Sequence, residues 1–459
     1  MAYYKDLRDY LTLLESSGNL VHFQEELSTR FEIPAATKYI ARQSRKTVIF
    51  DHVQHYDIPV VSNLFASRQH LAIALEVRED QLEQEITSRV ENPIQPILVD
   101  SAPVQEVIIR ENIDIQKTIP VLTHHEKDAG PYFTSAVAIA RDPETGIRGM
   151  GVHRIQIKGR DKIGILLASP PLSNFLNKAE KSGKSLEIAI ALGVDPLTFL
   201  GAVFFAPEGI DKFDIAGGLR RAPVELVKGC STDLEVPANA EFVLEGHLVP
   251  GQREVEGPFG ETTGYYLTFD SPIGRITSIT HRSRPLYYGL VPFIGEEEVI
   301  FQAISRPHLL KTFRESLPDV SIKDLNIVLT GAICVVQIRK KRDDDALRII
   351  DLLLSTPQAK MAVVVDEDVD IFDQHEVNWA MVTRMRPDKD VIIKPGQPGL
   401  SIDPSVEELT LNKDGRSVGK TAKLGIDATK PLKESARYEK IGVPAEVQQK
   451  ILRLMEVIK

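Results

Sequence analysis

Residues 136–157 read Ala136-Val137-Ala138-Ile139-Ala140-Arg141-Asp142-Pro143-Glu144-Thr145-Gly146-Ile147-Arg148-Gly149-Met150-Gly151-Val152-His153-Arg154-Ile155-Gln156-Ile157. Apolar runs at 136–140 and 152–157 flank Asp142-Pro143-Glu144-Thr145-Gly146, which reads as a hairpin turn. Working outward, similar short runs stand at 107–109, 163–167 and 241–244, punctuated by Gly and Pro. One long helix is expected among them, at about 172–192, followed by Gly193. Many short strands closing on themselves predict a β-barrel or split barrel.

The flanks have a different texture. Leu7, Tyr10, Leu11 and Leu14 fall at helical spacing within 5–17, and Gly18 is a natural C-cap. Strands are expected at 47–50 and 59–64, and a surface helix at 81–91. Beyond 300, strands are expected at 333–338, 361–365 and 391–393, with a helix at 344–354. A Pro/Gly-rich tail from 395 to 445 leads to a final helix at 445–458, with Val447, Ile451, Leu452 and Leu454 on its apolar face. That helix would dock on a partner subunit or on its own chain. The expected fold class is therefore an α+β / α/β multidomain protein. It has an N-terminal α/β unit (1–104), a central split β-barrel (105–300), a C-terminal α/β domain (301–440) and a C-terminal helix (441–459).

The chain has 459 residues, 42% of them hydrophobic and 26% charged, as in ordinary globular proteins. Fifty-five basic and 65 acidic side chains leave a net charge of -10, which disfavours a nucleic-acid coat protein or a polybasic membrane binder. The two cysteines, Cys230 and Cys334, cannot build a disulfide scaffold, and a reduced cytoplasmic compartment fits best. The first residues are charged where a signal peptide needs an apolar stretch. No run approaches the roughly 18 apolar residues of a membrane span.

The sharpest motif is Glu256-Gly257-Pro258-Phe259-Gly260-Glu261-Thr262-Thr263-Gly264-Tyr265-Tyr266. Neither a helix nor a regular strand accommodates Gly-Pro-x-Gly, so a shaped loop is expected. Such a loop can bring Glu256 and Glu261 into one pocket, where close carboxylates push their pKa values apart and suit acid/base work. A solvated acidic turn is the alternative. His124-His125-Glu126-Lys127-Asp128-Ala129-Gly130-Pro131-Tyr132 could suggest a metal site. Consecutive side chains point apart in a strand, however, so a structural or gating loop is the better reading. Asp366-Glu367-Asp368-Val369-Asp370 lacks the Gly and Glu of a Ca²⁺ loop and reads as a solvated acidic loop. Dinucleotide, P-loop and nucleophile-elbow motifs are missing.

Taken together, these residues resemble the UbiD-type decarboxylases, which use prenylated FMN. The resemblance rests on the Glu256–Glu261 motif and on 124–132, Ala216-Gly217-Gly218-Leu219-Arg220, 223–228, 233–238, 364–373 and 423–429, in order along nearly the whole chain. It implies a split barrel that binds prenylated FMN and a catalytic triad of Arg154, Glu256 and Glu261. Arg154 would face the substrate carboxylate, Glu256 would orient Arg154, and Glu261 would deliver a proton. Gly151, Val152, His153, Arg154, Pro170 and Lys212 would contact the cofactor. The implied substrate is an aromatic or α,β-unsaturated carboxylic acid. Homodimers or higher homo-oligomers are expected.

The resemblance breaks at the metal. The family positions that hold a divalent ion are occupied here by Gly149, Pro171 and Lys212, so no metal site is expected. Either Lys212 replaces the metal at the flavin phosphate, or the cofactor site is degraded and the chain is a non-catalytic or altered subunit of a hetero-oligomer. An FMN-binding reductase is a minor alternative.

Overall fold

The computed structural model describes residues 4–167, 169–206, 209–411 and 417–455. The chain divides into two compact units. One comprises Met1–Leu309, Ile327–Gly331 and Pro398–Thr421; the other comprises Leu310–Asn326, Ala332–Gln397 and Ala422–Lys459. No helix among the described residues is long and apolar enough to cross a membrane.

The first unit opens with the helix Leu7–Ser16, which buries Leu7, Tyr10, Leu11 and Leu14. Asp6 caps it by accepting from the Arg8 and Asp9 amides, and Gly18 ends it at φ 71°. Strands Leu20–Phe23, Thr47–Phe50, Val60–Ser62 and Tyr287–Tyr288 form a four-stranded sheet in that order. The helix Leu82–Val90 turns Leu82 and Ile86 inward, as its spacing predicts.

A nine-stranded sheet fills the middle of this unit. Its path runs Tyr132–Phe133, Ile155–Ile157, Lys162–Ile165, Tyr266–His281, Phe242–Gly260, Leu186–Leu192, Val137–Arg141, Arg148–Val152, and Val107–Ile109 joins it on Tyr266–His281. The hairpin at 142–146 is present: the Asp142 amide donates to the Ile147 carbonyl at 2.8 Å and Gly146 takes φ 75°.

Two expectations about this sheet need correcting. The run 152–157 is not one strand. Val152 pairs with Val137, while Ile155 pairs with Phe133 and Ile165, so the chain changes partners at His153-Arg154. An apolar run carries no mark of such an exchange. The helix expected over 172–192 stops at Lys181, with Gly183 at φ 68° just beyond it. Leu186–Leu192 is instead a strand, hydrogen-bonded on both edges and buried almost throughout. With no solvated face it lacks the alternation that marks a strand, and its apolar residues simply extend the preceding helical pattern.

Strands Ser321–Val328, Ile333–Arg339, Met361–Asp366 and Ser417–Ala428, most of whose residues belong to the second unit, are hydrogen-bonded in that order. Val335, Val363, Val365, Ile426 and Ala428 form its core. The expected irregular tail is therefore corrected as well. Met361 pairs with Leu424 and Val365 with Ala428 in a parallel ladder, inside the segment read as Pro/Gly-rich. The prolines and glycines nearer 395–404 obscured a strand whose alternate residues Leu424, Ile426 and Ala428 face the core. The acidic segment 366–370 is not simply solvated: Arg384 pairs with Asp366 at 2.8 Å and Asp368 at 2.9 Å, and Lys430 reaches Asp368 at 2.6 Å. The last described helix is Ala445–Met455, with Val447, Ile451 and Leu454 exposed. The side chain of Leu452 and residues 456–458 of the expected helix lie outside the described residues.

Candidate active site

The Glu256–Glu261 segment is less of a loop than its composition suggests. Strand Phe242–Gly260 runs through Glu256 and Gly257-Pro258 to Gly260, antiparallel to Tyr266–His281. Glu256 faces Phe269 and Phe259 faces Leu267, so one extra residue bulges from the ladder between them. Side chains five apart on a regular strand point to opposite faces; one bulged residue restores the same face. Gly257 makes the bulge fit. It sits at φ 109°, and a Cβ there would lie 2.6 Å from the Leu267 carbonyl oxygen. Glu261 then opens a tight turn, with the Gly264 amide donating to its carbonyl at 2.9 Å.

Arg154 enters from the point where the sheet exchanges partners. Its Nε donates to Glu256 Oε1 at 3.0 Å and its Nη2 to Glu256 Oε2 at 2.6 Å, a two-pronged grip. Its Nη1 donates to Glu261 Oε1. The guanidinium carbon lies 4.8 Å from the Phe259 ring centre and 5.3 Å from that of Phe269. Glu256 is fully buried, and Arg154 and Glu261 are 8% and 11% exposed. Burial pushes the Glu256 carboxyl above its usual range, although Arg154 pulls the other way. Burial also opposes the Arg154 charge, but Glu261 and Glu256 outweigh it and hold the guanidinium protonated. The buried Tyr132 hydroxyl lies near Glu256 without completing a hydrogen bond of its own. Burial first, then the Glu256 charge, keeps that phenol neutral.

The segment 124–132 docks on this hairpin. The buried Asp128 carboxylate accepts from the His124 and His125 amides at 3.1 and 2.8 Å and from the Gly260 amide at 2.9 Å. The Ala129 amide donates to the Pro258 carbonyl at 2.8 Å. Tyr132 packs on Phe259 with ring centres 4.4 Å apart. A Cβ on Gly260 would lie 2.4 Å from His125 Nδ1, so glycine there is what lets the histidine approach. Burial lowers the His124 pKa to about 3, with His125 adding to the effect, so His124 is neutral. The two rings stand 6.4 Å apart and do not converge as metal ligands would.

A second cluster holds the remaining sequence-derived residues. Pro170, Pro171, Arg148 and Lys212 line one cavity of about 160 Å³. Lys212 starts the helix Lys212–Arg220 and is 6% exposed. Its ammonium donates to the Ala202 carbonyl at 3.0 Å, and no carboxylate among the described residues pairs with it. Burial lowers its pKa to about 8. Gly149 faces Pro171: a Cβ at 149 would lie 2.6 Å from Pro171 Cγ and 2.7 Å from Phe175. Gly151 is similarly close to His153, whose Nδ1 is 3.0 Å from the Leu166 carbonyl and whose buried Nε2 has no hydrogen-bond partner. Burial lowers the His153 pKa to about 4. Val152 ends its strand immediately before it.

Sequence reasoning did not single out Asp128, Tyr132, Phe269 or Arg148 as site residues. Asp128 and Tyr132 stood inside the histidine segment and Arg148 inside the opening hairpin, but nothing local marks Phe269. It is found only through its pairing with Glu256.

The chain matches three family models. They are the 3-octaprenyl-4-hydroxybenzoate carboxy-lyase N-terminal domain over residues 11–90, its Rift-related domain over 97–294 and its C-terminal domain over 298–428. It is 32% identical to the anhydromevalonate phosphate decarboxylase of Methanothermobacter thermautotrophicus, over 95% of this chain and 99% of that protein. It is 34% identical to the phenolic acid decarboxylase of Sedimentibacter hydroxybenzoicus, over 94% and 92% of the two chains. The UbiD-class enzyme HmfF from Pelotomaculum thermopropionicum, solved in complex with FMN, superposes with a TM-score of 0.89 at 39% identity, covering 96% of this chain and 97% of that one. An evolved dimeric form of HmfF in complex with prFMN gives a TM-score of 0.85 at 38% identity, with the same coverage.

Proposed function

The chain belongs to the UbiD carboxy-lyase family, and from that premise we propose that it is a reversible, non-oxidative decarboxylase of an aromatic or α,β-unsaturated carboxylic acid, working with prenylated FMN. The observation that carries the reading is the buried Arg154, gripped by Glu256 on one side and touched by Glu261 on the other. One cation faces two carboxylates, so an incoming substrate carboxylate competes with Glu261 for Nη1. Glu256 keeps its two-pronged grip, so the guanidinium stays aimed. Glu261, once released, is the carboxyl free to hold a proton. As the bond to the carboxyl carbon breaks and CO₂ leaves, its electron pair stays on the substrate carbon, and Glu261 gives that carbon the proton. Phe259 and Phe269 lie against the guanidinium, and Tyr132 packs on Phe259.

Prenylated FMN, when bound, supplies the electron sink for the carbon that loses its carboxyl group. The residues present fit its anionic end. A buried ammonium without a carboxylate is costly unless an anion meets it, and a flavin phosphate is such an anion. Lys212 would hold that end, with Gly151, Val152, His153, Arg154 and Pro170 along the cofactor. The family's divalent metal does not fit: Gly149 and Pro171 offer no ligating side-chain atom, the space a side chain at 149 would need is filled by Pro171 and Phe175, and the Lys212 charge repels a cation.

The same reading takes the nine-stranded sheet as the split barrel, with domain boundaries near 104, 300 and 440. It places the protein in the cytoplasm as a homodimer or higher homo-oligomer. The test uses chain co-produced with a flavin prenyltransferase, kept from oxygen and given a panel of such acids. CO₂ release by wild type, lost in Glu261→Gln, supports the reading. No CO₂ and no retained flavin would favour the non-catalytic or altered subunit, a reading that Lys212, Gly149 and Pro171 also support. NAD(P)H oxidation with free FMN would point to a reductase.

A further inference from the structure

A cavity of about 810 Å³ has no part in the steps above. Thr262, the residue after Glu261, lines it, so the cavity adjoins the proton-donor turn. Its lining also includes Arg45, Lys46 and Arg68. Asn63 joins these segments into one end, donating from its amide to the Lys46 carbonyl at 2.8 Å. No carboxylate among the described residues pairs with Arg45 or Lys46. Arg68 is held in place by Glu83 at 2.8 Å. Arg68 also begins the helix Arg68–Leu75, which has no side-chain cap because the Ser67 hydroxyl is taken by His70 Nδ1 at 2.9 Å.

The cavity's acids are Glu79, Glu297 and Glu298, and the Glu79 carbonyl accepts from Arg68 Nη2 at 3.4 Å. Glu297 accepts from the Phe293 amide at 2.5 Å and Glu298 from the Leu329 amide at 3.2 Å. Burial raises the Glu297 pKa to about 6. A plain structural role for Arg45 and Lys46 is weak by comparison. Cations beyond the C-terminus of the helix Glu32–Ser44 gain a small stabilisation from its dipole. That accounts for two basic residues, and Glu83 for Arg68, but not for their gathering, with an uncapped helix start, on one cavity beside the proton donor. The volume also far exceeds the needs of a small monoacid, since pockets of about 300–1,000 Å³ enclose drug-sized ligands.

We propose that this cavity is a distal substrate subsite, and that the acid decarboxylated here carries a second anionic group, phosphate or carboxylate, held by Arg45, Lys46 and Arg68. This rests on the decarboxylase reading and adds the substrate class to it. The acid would then be held at both ends, its reacting carboxylate at Arg154 and its distal anion at the basic end.

The first test is binding of inorganic phosphate to the full chain, with excess FMN present to fill the Lys212 cavity. Arg45→Ala/Lys46→Ala should bind phosphate about tenfold more weakly than wild type. Equal binding by both, or none by wild type, overturns the proposal. The second test uses holoenzyme with three acids that share one π-system: cinnamate, 4-carboxycinnamate and 4-phosphonooxycinnamate. One dianionic acid should show a KM about tenfold below that of cinnamate, with the advantage lost in the double variant. Which dianion it is separates carboxylate from phosphate. Turnover of all three with equal KM overturns the subsite and leaves the decarboxylase reading standing. Turnover of none, with no flavin retained, is the failure of that reading, and the phosphate titration then decides the subsite alone.

Discussion

Arg154 grips Glu256 through two parallel hydrogen bonds, Nε to Oε1 at 3.0 Å and Nη2 to Oε2 at 2.6 Å, in a site where Glu256 has no solvent exposure. The grip joins the point where the sheet exchanges strands to the bulge at Gly257. Arg154→Lys keeps the charge and loses the planar fork. Decarboxylation should fall by about 100-fold or more, with the circular dichroism spectrum unchanged. A variant with near wild-type turnover would show that the fork is not needed.

Gly257→Ala would put a methyl group 2.6 Å from the Leu267 carbonyl at a φ of 109°. The bulge should open, at a cost of about 1–3 kcal/mol. A lowered Tm together with lost activity is the expected result. Gly251→Ala, also at positive φ but with open space around it, should lower Tm without abolishing activity.

Asp128 ties segment 124–132 to the hairpin by accepting from three amides. Asp128→Asn removes the charge from these bonds and turns one acceptor into a donor facing donors. The cost should be about 1–3 kcal/mol. Hydrogen exchange should locate it: the Gly260 and His125 amides should lose protection together, while the hairpin turn at 142–146 keeps its own.

Glu296 carries a pH dependence away from the triad. Its carboxyl is fully buried, with Oε1 accepting from the Phe65 amide at 3.0 Å and from the Tyr288 hydroxyl at 2.8 Å. Oε2 has no hydrogen-bond partner. Burial raises its pKa from 4.5 to about 7. The folded state therefore holds a proton that the unfolded chain releases between these two values. Stability from this group is highest at the lower end of that window, falls as pH rises to about 7, and is flat above it. The total is roughly 3 kcal/mol. Glu296→Gln should remove this slope, read as the difference in Tm between wild type and variant at several pH values.

Lys212→Ala should release FMN by removing a buried cation that has no carboxylate partner among the described residues at the 160 Å³ cavity. Equilibrium dialysis with FMN should show affinity reduced by about tenfold or more. Lys212→Arg, with the charge restored, should recover part of it.

The legibility of this protein follows from what local pattern can carry. The helix Leu7–Ser16 and the strands Thr47–Phe50 and Ile333–Arg339 were readable because period and punctuation agree there. Leu186–Leu192 and Ser417–Ala428 were not. The first is buried on both faces and has no period of its own, and prolines and glycines obscured the second. The pairing of Glu256 with Glu261 was readable as a spacing around Gly-Pro-Phe-Gly. The bulge that turns both carboxylates to one face was not, because it depends on register against Leu267 and Phe269, far along the chain. The contact of Gly149 with Pro171 likewise belongs to three-dimensional packing. The resemblance implies that Gly149, Pro171 and Lys212 stand at the family's metal positions; sequence could not say that the Pro171 ring fills the space beside Gly149.

The most direct test of the central claim is the cofactor itself. Chain co-produced with a flavin prenyltransferase and purified without oxygen should carry prenylated FMN close to one per chain, read from the absorbance spectrum and the mass of the released cofactor. Divalent metal should be far below one per chain in the same sample. A chain that carries no flavin under those conditions would contradict the account.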